Sequence, residues 1–145
     1  MNIFTAIGQF FTNWGAKLAS TFLEDDRYMM LVDGLRNTAI ITLGALCIGI
    51  VIGALVAIIK YCGEGNPAMK PLCALCDIYT TVIRGIPVVV LLLIFYFVIM
   101  KSASGVSGGI AVGIVTFGIN SGAYMAELMR SGIGAVDAGQ MEAGR

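Results

Sequence analysis

The sequence predicts an all-α, multi-spanning membrane protein. Two observations carry that prediction. Apolar residues make up 58% of the 145-residue chain and charged residues only 12%, against about 45–50% and about 25% in ordinary soluble domains. The apolar residues are also gathered into three long runs instead of being spread with the short periods of a soluble core. The formal net charge is zero, so neither a basic surface for nucleic acid nor an acidic tail is offered.

Residues 2–23 read as an amphipathic helix. Ile3, Ile7, Phe10, Trp14 and Leu18 recur at spacings of three and four, with Phe4, Phe11 and Phe22 nearby. Such a helix either lies at the headgroup boundary, which Trp and Phe favour, or packs on other helices. No Lys or Arg precedes Gln9 and no small-residue cleavage site follows a short apolar run, so no cleavable signal is expected here. Glu24-Asp25-Asp26-Arg27 is too polar for hydrocarbon and marks a wet linker, which places an N-terminal segment at 1–32 and a transmembrane domain at 33–130.

The first span is expected over 37–59. Between Arg36 and Lys60 no charge occurs, and as a helix this stretch reaches about 34 Å, enough for a hydrocarbon core of about 30 Å. Asn37 or Thr38 can cap its start. Gly49-Ile-Val-Ile-Gly53 is a GxxxG pair, which lets a neighbouring backbone approach closely. Gly63, Gly65, Asn66-Pro67 and Pro71 then punctuate a loop over 61–71.

The second span is expected over 78–100, interrupted only by Arg84. Pro87 either starts the deep part of this helix or kinks it, because proline removes a backbone donor. Arg84 can snorkel to the headgroups or serve in gating. After a small-residue turn over 102–109, the third span is expected at about 107–126. Gly109, Gly113, Gly118 and Gly122 invite close packing there. Asn120, beside Ser121, is the only amide in this window. It either bonds a neighbouring helix or lines a substrate path. Glu127 follows at the end.

Past Arg130 the chain turns polar. Asp137-Ala-Gly-Gln140 has capping-box spacing, and Glu142 would sit in the first turn of a new helix that starts near Ala138. The sequence stops two turns later, as though the protein were interrupted. Cys73-Ala-Leu-Cys76, with Cys62 and Asp77 close by, has part of a metal-site spacing. With no histidine and no second such pair, reduced thiols are the expected state and no metal or other cofactor is expected.

Three segments carry a family resemblance. Arg84-Gly-Ile-Pro-Val-Val-Val-Leu-Leu-Leu-Ile-Phe-Tyr-Phe97 resembles the stretch that reads R-G-T-P, then apolar residues and F-Y-F, in polar amino-acid ABC permeases of the histidine, glutamine and arginine importer type. Asn120-Ser-Gly-Ala-Tyr-Met-Ala-Glu127, Arg130-Ser-Gly-Ile133 and Gly139-Gln-Met-Glu-Ala143 resemble the approach to that family's EAA loop, and Asp33-Gly-Leu-Arg-Asn-Thr38 resembles its lead into the first span. Together they cover about residues 33–145.

The resemblance implies a subunit of normally five spans with an external N-terminus in a bacterial inner membrane. The charge count across the loops, five Lys and Arg against four, leaves that orientation open. It also implies an ATPase-coupling element at Gly139, Gln140, Glu142 and Ala143, while the residues themselves offer Arg84, Pro87, Asn120, Ser121 and Glu127 as possible pathway or gating groups. The implied partners are an ABC ATPase subunit, a second permease subunit, an extracytoplasmic solute-binding protein, a polar amino acid and the lipid bilayer. ATP hydrolysis would then belong to the partner, not to this chain. A channel or ion-driven carrier subunit is the alternative, but intramembrane carboxylates usually serve such coupling, and here Asp77 and Glu127 stand only at span ends. Gly144 stands where a second alanine is usual, and Ile86 where threonine is common. The motif's downstream glycine, its Leu-Pro end and the last two spans do not follow, so a chain of this extent is expected not to transport alone.

Overall fold

The computed structural model describes residues 3–23, 26–136, 139 and 144. Among them the regular structure is entirely helical: α1 (Ile3–Leu23), α2 (Arg27–Gly63), α3 (Lys70–Gly85), α4 (Val88–Ile94) and α5 (Gly105–Gly134), with a 3-10 turn at Pro67–Met69 and a single wide turn at Phe95–Ile99. The chain forms two units, Met1–Ala39 and Ile40–Arg145, and the division falls inside α2.

In the first unit, α1 leaves Ile3, Phe10, Phe11 and Trp14 exposed. Phe10 meets Phe11 edge-on with ring centroids 5.9 Å apart. The helix α2 begins at Arg27, ten residues before the expected start. Asn37 and Thr38 are therefore interior residues instead of caps, and the Thr38 hydroxyl donates to the Gly34 carbonyl at 2.9 Å. The reason is local: Tyr28 to Val32 contains no breaker, and an exposed Gly34 is tolerated within a helix. At 37 residues the helix is about 55 Å long, well beyond a hydrocarbon core of about 30 Å.

In the second unit, the expected loop over 61–71 is shorter than the sequence suggests. α2 continues to Gly63, and the Asn66 side chain accepts from the Ala68 N–H at 3.0 Å, capping the 3-10 turn that leads into α3. The expected second span over 78–100 is not one straight helix. Its two halves, Pro67–Gly85 and Val88–Ile99, meet at 105°. Pro87 forces the residue before it into extended backbone, and Ile86 takes φ −95°, ψ 129°. The helix restarts as the Val90 and Leu91 N–H groups donate to the Pro87 carbonyl at 2.9 and 3.1 Å. Farther on, Met100 N–H donates to the Phe95 carbonyl at 2.8 Å, five residues back, which closes the wide turn. With 16 residues in α3 and 12 over 88–99, the two arms reach about 24 and about 18 Å, each short of a bilayer core taken alone.

Among the described residues two helices, α2 and α5, are long and apolar enough to cross a membrane, and the bent pair makes a third if it counts as one span. Their packing rests on glycine. A Cβ at Gly53 would sit 2.6 Å from Met125 Cβ and 3.2 Å from both Ala126 N and the Gly122 carbonyl oxygen. From the other side, a Cβ at Gly118 would lie 2.7 Å from Ile48 Cγ2, and one at Gly122 would lie 3.0 Å from Ile52. Glycines of each helix thus receive side chains of the other, and the two backbones come close enough for dense dispersion contact. Toward the far end of this seam Val56, Cys76 and Ala126 bury one another, flanked by Ile52, Ile59 and Tyr79, so α2, α3 and α5 converge on one small core. The long apolar residues on the other side of α2, such as Leu43, Val51, Leu55 and Ile58, remain exposed, as lipid-facing residues do.

Candidate functional site

The polar groups of the second unit gather where these three helices converge. Lys60 lies one residue past the uncharged stretch of α2. Its side chain is 8% exposed, and its ammonium pairs with Asp77 Oδ1 of α3 at 2.8 Å and Glu127 Oε1 of α5 at 2.6 Å. One cation therefore ties together three helices. An ammonium held this far from water needs such partners, because an unpaired buried charge is strongly destabilising. The Glu127 side chain is 26% exposed and that of Asp77 62%, so the bond to Glu127 is the better sheltered of the two. Charge-assisted hydrogen bonds of this length are the stronger kind.

Two further contacts extend the site along α5. Arg130 Nη2 meets Glu64 Oε1 at 3.2 Å, with both side chains open to water. The guanidinium of Arg84 stands 5.2 Å from the Tyr124 ring centroid, within cation–π range. Tyr124, Glu127 and Arg130 follow at spacings of three, which makes them neighbours on one broad face of α5. A cleft of about 170 Å³ is bounded by Lys60, Gly63, Glu64, Cys73, Asp77 and Arg130. The Cys73 thiol donates to the Ile59 carbonyl at 3.7 Å, and Tyr79 donates its hydroxyl proton to the Ile119 carbonyl at 2.7 Å, pinning α3 to α5 deeper in the bundle.

The residues singled out from the sequence separate into three groups. Arg84 and Glu127 both enter this site, Arg84 through Tyr124 and Glu127 through Lys60. Pro87 sits at the 105° break, three residues beyond Arg84. Ser121 is taken up by helix packing, its Cβ lying 3.0 Å from where a Cβ of Gly49 would stand. Asn120 is half-buried, and no hydrogen bond joins its side chain to another described residue. Gln140, Glu142 and Ala143 lie outside the described residues, as do Asp137 and Ala138 of the expected capping box, while Gly139 is described without them. Cys47, Cys62, Cys73 and Cys76 are all free thiols.

Lys60, Asp77 and Tyr124 were not among the expected site residues. A signal for the first two exists in the sequence. Lys60, Asp77 and Glu127 each bound an expected span, and in a chain that crosses back and forth these three ends fall on the same side. No comparable signal marks Tyr124 or the fully buried Thr116, whose hydroxyl has no partner among the described residues.

A helical membrane bundle with glycine-packed spans and a charged junction at one end defines a membrane protein of the integral, packed-helix class. Comparison with known proteins sharpens this. The chain is 37% identical over 122 residues to a Rickettsia bellii protein provisionally named a glutamine transport system permease, GlnP, a match that covers 81% of this chain and 51% of that protein. It is 32% identical over 113 residues to the arginine transport system permease ArtQ of Bacillus subtilis, covering 78% of this chain and 49% of that one. The arginine transport system permease ArgU of Corynebacterium glutamicum is 33% identical over 122 residues, with 75% and 37% covered. Over most of its length the chain is thus similar to glutamine and arginine transport permeases, and it spans about half the length of the curated relatives it matches. No family model matches the chain, and no solved structure does.

Proposed function

We propose that the chain is a membrane-spanning permease subunit of an ATP-driven amino-acid importer, which forms part of the substrate pathway and couples to a cytoplasmic ATPase. The observation that carries this reading is the match over 81% of the chain to permeases named for glutamine transport, supported by similar matches to permeases named for arginine transport. Polar amino acids are accordingly the substrate class. The partners would be a separate ATPase subunit that hydrolyses ATP, a second permease subunit and an extracytoplasmic solute-binding protein, in a bacterial inner membrane with the N-terminus outside.

In this reading, residues 139–143 carry the ATPase contact, with Glu142 its central charge and Gly139, Gln140 and Ala143 the small or polar groups that fit beside it. The charged junction at Lys60 then lies on the cytoplasmic side, next to where α5 leads into that segment. Arg84 and Pro87, at the corner between α3 and α4, together with Asn120, Ser121 and Glu127 on α5, would border the pathway or its gate. The corner supports this because a broken helix exposes backbone that a substrate or a moving neighbour can use.

The test is reconstitution of a full-length permease carrying this sequence with its ATPase, second permease subunit and solute-binding protein in proteoliposomes, followed by uptake of labelled glutamine and arginine. Uptake should require ATP and survive collapse of the membrane potential. Transport that follows the potential and ignores ATP would mean a channel or ion-driven carrier instead. Glu142→Lys should abolish both uptake and the stimulation of ATP hydrolysis by loaded binding protein, and intact stimulation would remove Glu142 from the interface.

A further inference from the structure

The polar contacts on α5 share a geometry that helix packing alone does not demand. Three residues at spacings of three, Tyr124, Glu127 and Arg130, each meet a charged side chain from elsewhere in the unit: Arg84 of α3 at 5.2 Å, Lys60 of α2 at 2.6 Å and Glu64, in the turn after α2, at 3.2 Å. Lys60 also holds Asp77 of α3 at 2.8 Å. Arg84 in turn is three residues from Pro87, where the chain turns through 105°. A continuous set of polar contacts therefore runs from the last turns of α5 to the α3–α4 corner, alongside the small apolar core of Val56, Cys76 and Ala126.

We propose that Lys60 is a positioning residue of transport, the central clasp that makes the end of α5 and the Arg84–Pro87 corner move as one body. Its consequence for transport rests on the permease reading given above. A push delivered beyond Gly134 reaches Glu127 and Arg130 first. With the clasp closed, the displacement passes through Lys60 to Asp77 and α3, and through Tyr124 to Arg84, so the corner must follow. With the clasp open, α5 keeps only its contacts through Tyr124 and Ile119 to α3, and the corner follows it less far. Rigid transmission needs discrete contacts with one geometry. Lys60 supplies them because its ammonium, shielded from water, has no cheaper place to go than between two carboxylates.

Two readouts decide this. The first needs no transport: the rate at which maleimide labels the buried Cys76 in nanodiscs, read site by site by mass mapping, with the exposed Cys62 as internal standard. Lys60→Met should raise Cys76 labelling about fivefold or more, whereas Lys60→Arg should leave it within about twofold, in line with coupling energies between contacting groups. Unchanged labelling in Lys60→Met, or an equal rise in Lys60→Arg, overturns the clasp. Glu127→Gln, which leaves Lys60 paired with Asp77, should shift labelling in the same direction by less, and it carries the test if Lys60→Met does not fold. The second readout is the number of amino acids taken up per ATP hydrolysed by the assembled transporter. That ratio should fall about fivefold or more in Lys60→Met with hydrolysis retained. A merely structural lysine would lower uptake and hydrolysis together and leave the ratio unmoved, which would also overturn the proposal. If the unaltered complex shows no ATP-driven uptake, the permease reading fails while the labelling experiment still judges the clasp.

Discussion

The α2–α5 seam and the junction around Lys60 join the same helices by opposite means. Along the seam, glycine removes side chains so that backbones nearly touch, and Gly53, Gly118 and Gly122 each leave a space that a neighbour already fills. At the junction, a long flexible side chain reaches across, and Lys60 meets two carboxylates at 2.8 and 2.6 Å. Close apolar packing falls off steeply once surfaces separate, and so it fixes one register. Charged groups on flexible stems keep a partner through small displacements. The seam is thus suited to hold a helix pair in one register, and the junction to keep α2, α3 and α5 tied together while they move.

If that contrast is real, the seam should tolerate the least. Gly53→Leu puts a branched side chain where even a Cβ would stand 2.6 Å from Met125 Cβ and 3.2 Å from two backbone atoms of α5. Backbone cannot rotate away, so the helices must separate, at a cost of about 3 kcal/mol or more. The expected outcome is loss of monodisperse protein in detergent. Gly34→Ala is the matched control. Nothing lies within 4 Å of a Cβ there, and replacing an exposed helical glycine should stabilise by about 0.5–1 kcal/mol. A Gly53→Leu protein that denatures at the control's temperature would remove the seam's claim to rigidity.

The junction should respond by charge more than by size. Lys60→Met keeps the length of the side chain and leaves Asp77 and Glu127 facing each other with no cation between them. Breaking a fully buried pair costs about 3–5 kcal/mol. Because Asp77 is 62% and Glu127 26% exposed, water takes up part of that loss, and about 1–3 kcal/mol is expected. Lys60→Arg should recover most of it. Denaturation in detergent and SDS mixtures measures both, and equal losses for Met and Arg would show that the site selects shape instead of charge.

Much of this arrangement is written in the sequence, for physical reasons that differ by element. The all-helical membrane class follows from hydropathy, because lipid leaves the backbone no other way to satisfy its hydrogen bonds. Gly49 and Gly53 announce close packing through their spacing alone. The break at Ile86-Pro87 is also local, since proline restricts its neighbour whatever surrounds it, although the 105° angle depends on what α3 and α4 pack against. The early start of α2 at Arg27 was hidden because the charged run before it reads as a linker while the residues after it remain good helix formers. The span ends put Lys60 and Glu127 on one side of the membrane, but that they touch, like the contact of Arg84 with Tyr124, was hidden for another reason. Both contacts join residues far apart in sequence, Lys60 to Glu127 and Arg84 to Tyr124, and no periodicity within one helix encodes which helices meet.

The pair of Glu64 and Arg130 should matter least for stability, although it belongs to the same set of contacts. Its 3.2 Å bond lies between two side chains that are both well exposed. Solvent screening and the entropy of holding two long side chains together bring such pairs to about 0–1 kcal/mol. Glu64→Gln should therefore change the denaturation midpoint hardly at all at low salt, and adding salt should erase the remaining difference, because exposed charges are screened over about 10 Å at 0.1 M. Lys60→Met should keep most of its loss in high salt, since its ammonium site is shielded from the ions that screen Glu64. A salt response of equal size at both positions would mean that the junction is as wet as the surface beside it, and the distinction between a sheltered centre at Lys60 and a yielding rim at Arg130 would disappear.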